Sequence, residues 1–404
     1  MKRTAVVIIF LGLTLPVFLV VAHSSEVSLW TQSATQPWLT EILQEFTEET
    51  GITVESKGIG WGVEELYVAY AAGVMPDLFT HGTAALGALA EQGLMAPLDD
   101  IVQKWDFTKD IIPVVYDIAR YKGQLVGMAW YGLTIESLVY HTEVFEEVGL
   151  SKDQPPESWD DLVTYGRKLT LRNPDGTLLR SGLHVADTSH SPSGWFRTFT
   201  LQCGLDPFGE ELASITLLDD RIVSAVTFYV DLINTHRIND RGFAGTFLNR
   251  SSAMRKDSIA PFRRYPDEAP YLRVALLPYK EVPVVHIIGD FMSLASSSKN
   301  RDSALQLFEY IMHPDRQYRI NHAQGFLPIF TRGIRWDWVR EIPASHEFIT
   351  LAMEHGYAAT PHPQFFELRD MQNRIMRTAL DGKNAPRVVL QEENDAFLAL
   401  MRKR

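Results

Sequence analysis

The stretch that decides the fold is "MPDLFTHGTAALGALAEQGLMAPLDD", which runs from Met75 to Asp100. Residues 76–79 predict a short buried strand that stops at a small, polar turn, His81-Gly82-Thr83. A helix follows, with Leu86 and Leu89 on one face. In an open α/β sheet, ligands bind at the carboxyl ends of the strands, so we expect the turn at 81–83 to face a ligand.

The same alternation of strand and helix precedes this stretch. The segment "VSLWTQSA" (27–34) predicts a strand and "WLTEILQEFTEETG" (38–51) an amphipathic helix. A second pair follows, with the strand "ITVES" (52–56) and the helix "VEELYVAYAAG" (63–73). Repeated strand–helix units are typical of the α/β class, and we expect mostly parallel sheets.

The length of the chain favours more than one lobe. At 404 residues it exceeds a typical single domain, yet no low-complexity linker divides it. The segments 121–141 and 274–298 are rich in strand-forming residues. We therefore expect strands within them, at 127–136 and 282–292, to cross between two lobes as a hinge.

Composition and motifs exclude several classes of function. The formal net charge is −12, and only the last residues, Arg402-Lys403-Arg404, resemble a basic patch, so nucleic-acid binding is not expected. The chain carries no phosphate-binding loop, no dinucleotide fingerprint, and no zinc-protease or serine-hydrolase motif. Its one cysteine, Cys203, cannot form an internal disulfide.

The N-terminus predicts export. Lys2 and Arg3 precede an apolar run over 5–22, and polar residues follow, as in a signal peptide spanning residues 1–22. A signal anchor that is retained is the alternative, since the run is rather long. No cysteine lies near the cleavage region, so a lipoprotein is not expected, and we predict a periplasmic location.

Several blocks beyond the opening stretch carry a family resemblance. In chain order they are "PDLF…LAEQGLMAPLDD", "YKGQLVGMAWYG…LVYHTEVFEEVGL", "PPESWDDLVTYGRKLT", "SSAMRKDSIAPF", "GDFMSLASSSKNRDSALQLFEYIM", "GFLPIF" and "ALDGKNAPRVVLQEENDAF". The chain resembles the family-one extracellular solute-binding proteins, which are the sugar-binding subunits of ABC importers. The resemblance spans residues 75 to 400, and the order of the blocks matches that of the family.

The resemblance implies a two-lobe periplasmic binding protein fold (type II-like), with crossing hinge strands and a ligand cleft between the lobes. We place the N-terminal lobe at 26–130 and 290–328, and the C-terminal lobe at 135–284 and 332–404. The implied protein is a monomer that needs no cofactor or metal and catalyses no reaction. Its implied partners are a small-molecule sugar and the permease subunits of an ABC transporter.

Sugars present apolar faces, which stack on aromatic rings, and hydroxyl edges, which need hydrogen bonds. The resemblance implies both kinds of side chain around the cleft, and nine tryptophans are available to supply the flat rings. The implied ligand-binding positions are Trp30, Trp61, His81, Thr83, Trp130, Tyr131, Thr134, Trp195, Phe262, Asp290, Phe365 and Phe366.

Other interpretations stay open at this point. A glycerol phosphoester in the cleft would require an arginine clamp such as Arg255 or Arg197. From a different class, the chain could be an exported carbohydrate-active enzyme, because its fifty acidic residues offer many carboxylate pairs. His184, Asp187 and His190 have a spacing that suits a metal, but a solvated loop explains them better.

Overall fold

The computed structural model describes residues 26–60, 62–185, 187, 191–206, 209, 214–357 and 360–403. The segment predicted to be a signal peptide, and Trp61, lie outside the described residues. Among the described residues, no helix has both the length and the apolar character needed to cross a membrane.

Strands and helices alternate along the chain, as the sequence predicts. The strands are β1 (Glu26–Thr31), β2 (Thr53–Gly58), β3 (Leu78–Gly82), β4 (Arg120–Tyr121), β5 (Gln124–Leu125), β6 (Met128–His141), β7 (Leu171–Arg172), β8 (Leu178–His184), β9 (Ser252–Asp257), β10 (Leu272–Ala275), β11 (Val285–Leu294) and β12 (Gly356–Tyr357). The helices are α1 (Pro37–Thr50), α2 (Glu64–Ala71), α3 (Thr83–Glu91), α4 (Asp99–Val102), α5 (Pro113–Asp117), α6 (Thr142–Glu147), α7 (Trp159–Leu169), α8 (Ser191–Gln202), α9 (Asp220–Asn234), α10 (Ala260–Arg264), α11 (Arg301–Met312), α12 (Pro314–Gln324), α13 (Asp337–Glu341), α14 (Ser345–His355), α15 (Phe365–Leu380) and α16 (Pro386–Met401).

One mixed sheet connects most of these strands, in the order β2-β1-β3-β11-β6-β9-β8-β7, with β10 on β6 and β12 on β11. β1 runs parallel to β2 and β3, and β8 runs parallel to β9. The expectation of mostly parallel sheets is wrong, because β11 pairs antiparallel with both β3 and β6, and β6 pairs antiparallel with β9. The two long strands thus cross the molecule in opposite directions.

Two hydrophobic cores flank the crossing strands. The first contains the buried faces of β1, β3, α1 and α3, and the second contains those of α7, α8, α9 and α15. β6 serves both, since Leu133 lies in the first core and Leu138 in the second. Trp338 and Phe348 pack in the first core, although the sequence places residues 332–404 in the C-terminal lobe. The exact lobe boundaries stay a prediction.

The junction of β3 and α3 differs from the expected turn. His81 and Gly82 belong to the strand, and α3 begins directly at Thr83. The reason is long-range pairing: Phe291 of β11 lies opposite His81, and Asp290 lies opposite Gly82, so the ladder continues to the residue directly before the helix. The expected loop is therefore wrong, while the covering helix is confirmed.

Candidate functional site

Three charged or titratable side chains meet on the crossing strands. The pairing of β6 with β11 sets Glu136 opposite His286, and β9 brings Lys256 to the same face of β6. The Lys256 Nζ lies 3.0 Å from Glu136 Oε2, and the His286 Nδ1 lies 3.7 Å from the same oxygen. The side chains of Glu136, Lys256 and His286 are 25%, 11% and 6% exposed. We call these three residues the hinge cluster.

The environment of the hinge cluster fixes its charges. Burial opposes ionisation of Glu136, but the Lys256 charge and the neighbouring His286 outweigh it and hold the pKa of that carboxyl well below its usual range. Burial lowers the pKa of His286 to about 4, although Glu136 acts in the opposite direction. At neutral pH the cluster therefore holds a carboxylate and a neutral imidazole, and the carboxylate keeps an exposed edge.

Helix α8 forms one wall of the hinge cluster. The Lys256 Nζ lies 3.4 Å from Thr198 Oγ1 and 5.3 Å from the centre of the Trp195 ring, which stacks on Phe199. The Arg197 guanidinium lies 5.2 Å from the centre of the Phe365 ring. Burial lowers the pKa of Arg197. The structure thus brings Trp195, which was predicted, next to Lys256, but Trp195 and the predicted Phe365 are both buried in the second core, with 3% and 6% of their surface exposed.

A second polar group lies further along the same two strands. Thr83 Oγ1 donates a hydrogen bond of 2.7 Å to the Gly289 carbonyl, and the Tyr131 hydroxyl donates one of 2.8 Å to Asp290 Oδ2. Burial raises the pKa of Asp290, and the bond from Tyr131 offsets this only in part. Thr134 is partly buried and pairs with Ile288, between this group and the hinge cluster. Four predicted positions therefore lie along one path.

Three predicted side chains are buried in the first core instead. Trp130 packs 5.7 Å from the Trp38 ring, and Phe262 packs edge-on against Phe348. His81 Nε2 lies 3.0 Å from Ser293 Oγ, and burial lowers the pKa of His81 to about 4. Their side chains carry almost no exposed surface, because the sheet and helices of the first core cover them.

The remaining predicted aromatics are partly exposed. Lys57 Nζ lies 3.8 Å from the centre of the Trp30 ring, so that face of Trp30 is already covered. Phe366 stands edge-on to Phe365, with the Arg369 guanidinium 5.1 Å from its ring centre. Trp61 lies outside the described residues.

A cleft of about 1070 Å³ lies between elements of the two cores. Its walls are α2, α3 and the β4–β5 hairpin on one side, and the segment 356–367 on the other. The lining includes Tyr67, Tyr121, Tyr357 and Gln364, but none of the predicted positions that the structure describes. Tyr357 also stacks on His286, with ring centroids 6.2 Å apart, so one residue of the cleft wall contacts the hinge cluster, although none of the three cluster residues lines the cleft itself.

Sequence reasoning missed Glu136, Lys256, His286 and Tyr357. A signal was available for two of them. Glu136 interrupts the apolar segment "LTIESLVY", and His286 interrupts "VPVVHII", and a polar side chain within a buried strand is uncommon unless it has a partner. Lys256 and Tyr357 carry no such local signal.

The three residues whose spacing could suit a metal do not come together as a described set. His184 ends β8, and Asp187 accepts from the Gly242 backbone N–H, while His190 lies outside the described residues. Within the described part of the chain, no group of three or more His, Cys, Asp or Glu side chains is arranged to hold a metal ion.

Comparisons with known proteins identify the family of this chain. Residues 30–318 match the model of the bacterial extracellular solute-binding proteins. The chain belongs to this family. A protein of Brucella abortus (strain 2308) named as a binding protein is 23% identical over 391 residues, which cover 91% of each chain. The maltotriose-binding protein of Pyrococcus abyssi is 29% identical over only 97 residues, which are 24% of this chain and 19% of that protein.

Solved structures share the whole architecture. The solute-binding protein of Thermotoga lettingae bound with α-D-tagatose has a TM-score of 0.76 and 23% identity, and the match covers 94% of this chain and 100% of that one. The sugar-binding protein MalE of Xanthomonas citri has a TM-score of 0.80 and 18% identity, with 94% and 98% covered. The predicted family and the two-lobe α/β fold are confirmed.

Proposed function

We propose that this solute-binding protein captures a sugar or an oligosaccharide between its lobes and delivers it to the permease of an ABC transporter, without catalysing a reaction. The observation that carries the proposal is the hinge cluster. Glu136, Lys256 and His286 lie where the crossing strands join the two cores, so a solute bound against them reaches both lobes.

The chemistry of the hinge cluster suits a polyhydroxyl ligand. The exposed edge of the Glu136 carboxylate can accept hydrogen bonds from hydroxyl groups, and the Lys256 ammonium can donate to hydroxyl oxygens. The partly exposed ring of Tyr357 lines the cleft, stacks on His286 and can pack against an apolar sugar face. Thr134 and Asp290 extend the polar path along the strands.

Charge compensation favours a neutral solute over a phosphoester. The Lys256 ammonium already faces Glu136, so the pair carries no net charge. Arg255 is also engaged, because its Nε lies 2.9 Å from Asp257 Oδ2 and it donates to the Gly245 carbonyl. An anion bound at either cation would compete with a carboxylate that is already in place.

The two-lobe architecture supports capture by closure of the lobes. A ligand that contacts both lobes only when they approach each other stabilises the closed state, and its differential affinity sets the size of the shift. Family membership and the relatives named above support export. We further propose a periplasmic location, removal of residues 1–22 and a monomeric state.

A thermal-unfolding screen tests the proposal. The protein is heated with monosaccharides, oligosaccharides, sugar alcohols and glycerol phosphodiesters in turn. Ligand at about a thousand times its dissociation constant adds about 4 kcal/mol to the folded state, which is about 8 °C at about 2 °C per kcal/mol. A selective shift with one sugar supports the proposal. A shift with a phosphodiester alone contradicts the choice of solute.

The enzymatic alternative is tested with the same samples. A binding protein returns its ligand intact after prolonged incubation, whereas a carbohydrate-active enzyme converts it. Chromatography of the recovered sugar separates the two outcomes, and cleaved or rearranged product would overturn the proposed function.

A further inference from the structure

A group of buried polar atoms lies between α1, β6 and α12, apart from the hinge cluster. Within the described residues, five atoms there have no hydrogen-bond partner: Trp38 Nε1, Trp130 Nε1, Gln317 Oε1, Asn321 Oδ1 and Asn321 Nδ2. Trp130, Gln317 and Asn321 are completely buried. Buried polar groups are almost always paired with protein or with ordered water, so five such atoms in one region call for an explanation.

The orientation of Gln317 is fixed by its other end. Its Nε2 donates to the Trp130 carbonyl at 2.6 Å and to the Ile311 carbonyl at 3.0 Å, so both amide hydrogens are used. Rotating the amide by half a turn would set its oxygen against two carbonyl oxygens. The unpartnered Oε1 is therefore an acceptor that needs a donor.

Asn321 lies one helical turn after Gln317, on the same face of α12. A Cβ at Gly132 would stand 3.1 Å from Asn321 Nδ2 and 2.6 Å from the Leu327 carbonyl oxygen. Gly132 has a φ of 108°, in the region that favours glycine. The pairing of β6 with β11 is irregular here, and a side chain at residue 132 would collide with the Leu327 carbonyl oxygen and the Phe326 Cβ, so glycine lets residues 326–327 pack closely against β6.

Trp38 closes the region on the side of α1. Its ring lies 5.7 Å from that of Trp130, at an angle of 45°. Its indole nitrogen is buried although the side chain as a whole is only partly so. Arg319 holds α12 against α1 through bonds of 2.6 and 2.8 Å to the carboxylate of Glu45.

We propose that this region is a binding site for water, buried where the pairing of β6 with β11 is irregular. The two indole N–H groups only donate, Gln317 Oε1 only accepts, and Asn321 does both. An occupant must therefore accept from some groups and donate to others at short range. Water does so and typically makes about three such bonds in protein interiors. An anion would be repelled by the Gln317 oxygen, and a cation by the indole N–H groups.

The first test is a high-resolution crystal structure of the unmodified protein. We expect at least one ordered water within hydrogen-bond distance of Gln317 Oε1 or Asn321. A dry interior with the same side-chain positions would overturn the proposal. This measurement remains informative even if the variants below fold poorly.

The second test is a double-mutant cycle with Asn321→Leu and Trp38→Phe. No hydrogen bond joins the two side chains directly, and a water bonded to both would make their effects non-additive. We expect Asn321→Leu to lower the melting temperature by about 2–4 °C, because water loses a partner that leucine cannot replace. Adding Trp38→Phe should then cost less than it does alone.

If the site contains no water, the change in melting temperature caused by Asn321→Leu should have the opposite sign. Removing an unpaired buried amide would relieve its desolvation penalty, so Asn321→Leu would raise the melting temperature. Either that result or strictly additive effects would overturn the proposal. Ala323→Leu, at an exposed position of the same helix, is the control and should shift the melting temperature by less than about 1 °C.

Discussion

Two buried carboxylates at different places in the fold show how similar groups take different roles. Asp77, just before β3, accepts hydrogen bonds from the Ser28 backbone N–H and hydroxyl, both at 3.0 Å, from the Ser298 hydroxyl at 2.7 Å and from the Asn300 amide at 3.3 Å. Glu136, on β6, instead faces the Lys256 ammonium and keeps a quarter of its side chain exposed.

The pKa shifts of Asp77 and Glu136 have different causes. Burial opposes ionisation at both sites, yet the pKa of each carboxyl is lowered. At Asp77 the cause is a set of neutral donors that fill its lone pairs, whereas at Glu136 it is chiefly the Lys256 charge. The carboxylate of Asp77 has its acceptor sites filled by hydrogen bonds from three residues, so it has a structural role and stabilises the segments around residues 28 and 298–300. The carboxylate of Glu136 is neutralised by the Lys256 ammonium and remains partly exposed, so it can still accept hydrogen bonds from a solute.

The largest effect should come from removing the structural carboxylate. Asp77→Ala leaves the donors of Ser28, Ser298 and Asn300 without their acceptor, and we expect a loss of about 3 kcal/mol in the free energy of unfolding. Urea denaturation measures it. Sugar affinity should not change, and Asp100→Ala, at an exposed carboxylate, should change the unfolding free energy by less than about 0.5 kcal/mol. A large loss of sugar affinity in Asp77→Ala would contradict the assignment of a purely structural role to Asp77.

The next effect concerns binding rather than stability. Glu136→Gln keeps the shape of the side chain but removes the charge, so hydrogen bonds to sugar hydroxyls weaken by about 1.5–2.5 kcal/mol, roughly a 10- to 70-fold rise in Kd. Titration calorimetry, well below the melting temperature, measures this change. Glu157→Gln, at an exposed glutamate, is the matched control and should leave Kd unchanged. An unaltered Kd in Glu136→Gln would remove the hinge cluster from the proposed site.

Local patterns predicted α1, α2 and the covering role of α3. In α1, the spacing of Leu39, Ile42, Leu43 and Phe46 predicts the buried face that the structure shows, and Gly51 ends the helix with a φ of 73°. Such features depend on neighbours within a few residues, so a single sequence contains them.

The candidate site depends on contacts that no local pattern encodes. Glu136 and His286 are 150 positions apart in the chain and become neighbours only when β6 pairs with β11. The same pairing extends β3 through His81 and buries a side chain that looks like a loop residue from the sequence. The sequence alone also could not place the ring of Trp130, because an aromatic residue near a glycine can face a cleft or pack in a core, and Trp130 packs in the first core. Family resemblance gave the architecture, but long-range pairing decides which side chains remain open.

The smallest effect, and the finest test of the contrast, concerns Asp290. Burial raises its pKa, so its contribution to stability has the opposite sign to that of Asp77: it is complete below the pKa of the unfolded chain and is lost as pH rises through the folded value. Asp77, with a lowered pKa, contributes above the unfolded value and loses that contribution as pH falls.

Replacing Asp290 or Asp77 by asparagine should show whether the ionised carboxylate at each position lowers or raises the free energy of unfolding. In Asp290→Asn the amide oxygen still accepts the Tyr131 hydroxyl, and no charge is buried, so we expect a gain of about 0.5–1 kcal/mol in unfolding free energy at pH 7. The gain should vanish near pH 3, where the aspartate is protonated in both states. Asp77→Asn should instead destabilise at pH 7 and lose part of that deficit at pH 3. Urea denaturation of both variants at the two pH values gives the comparison. If Asp290→Asn is destabilising at pH 7, the ionised carboxylate has stabilising partners beyond Tyr131, and Asp290 belongs with Asp77 as a structural anchor rather than with the open carboxylate of the hinge.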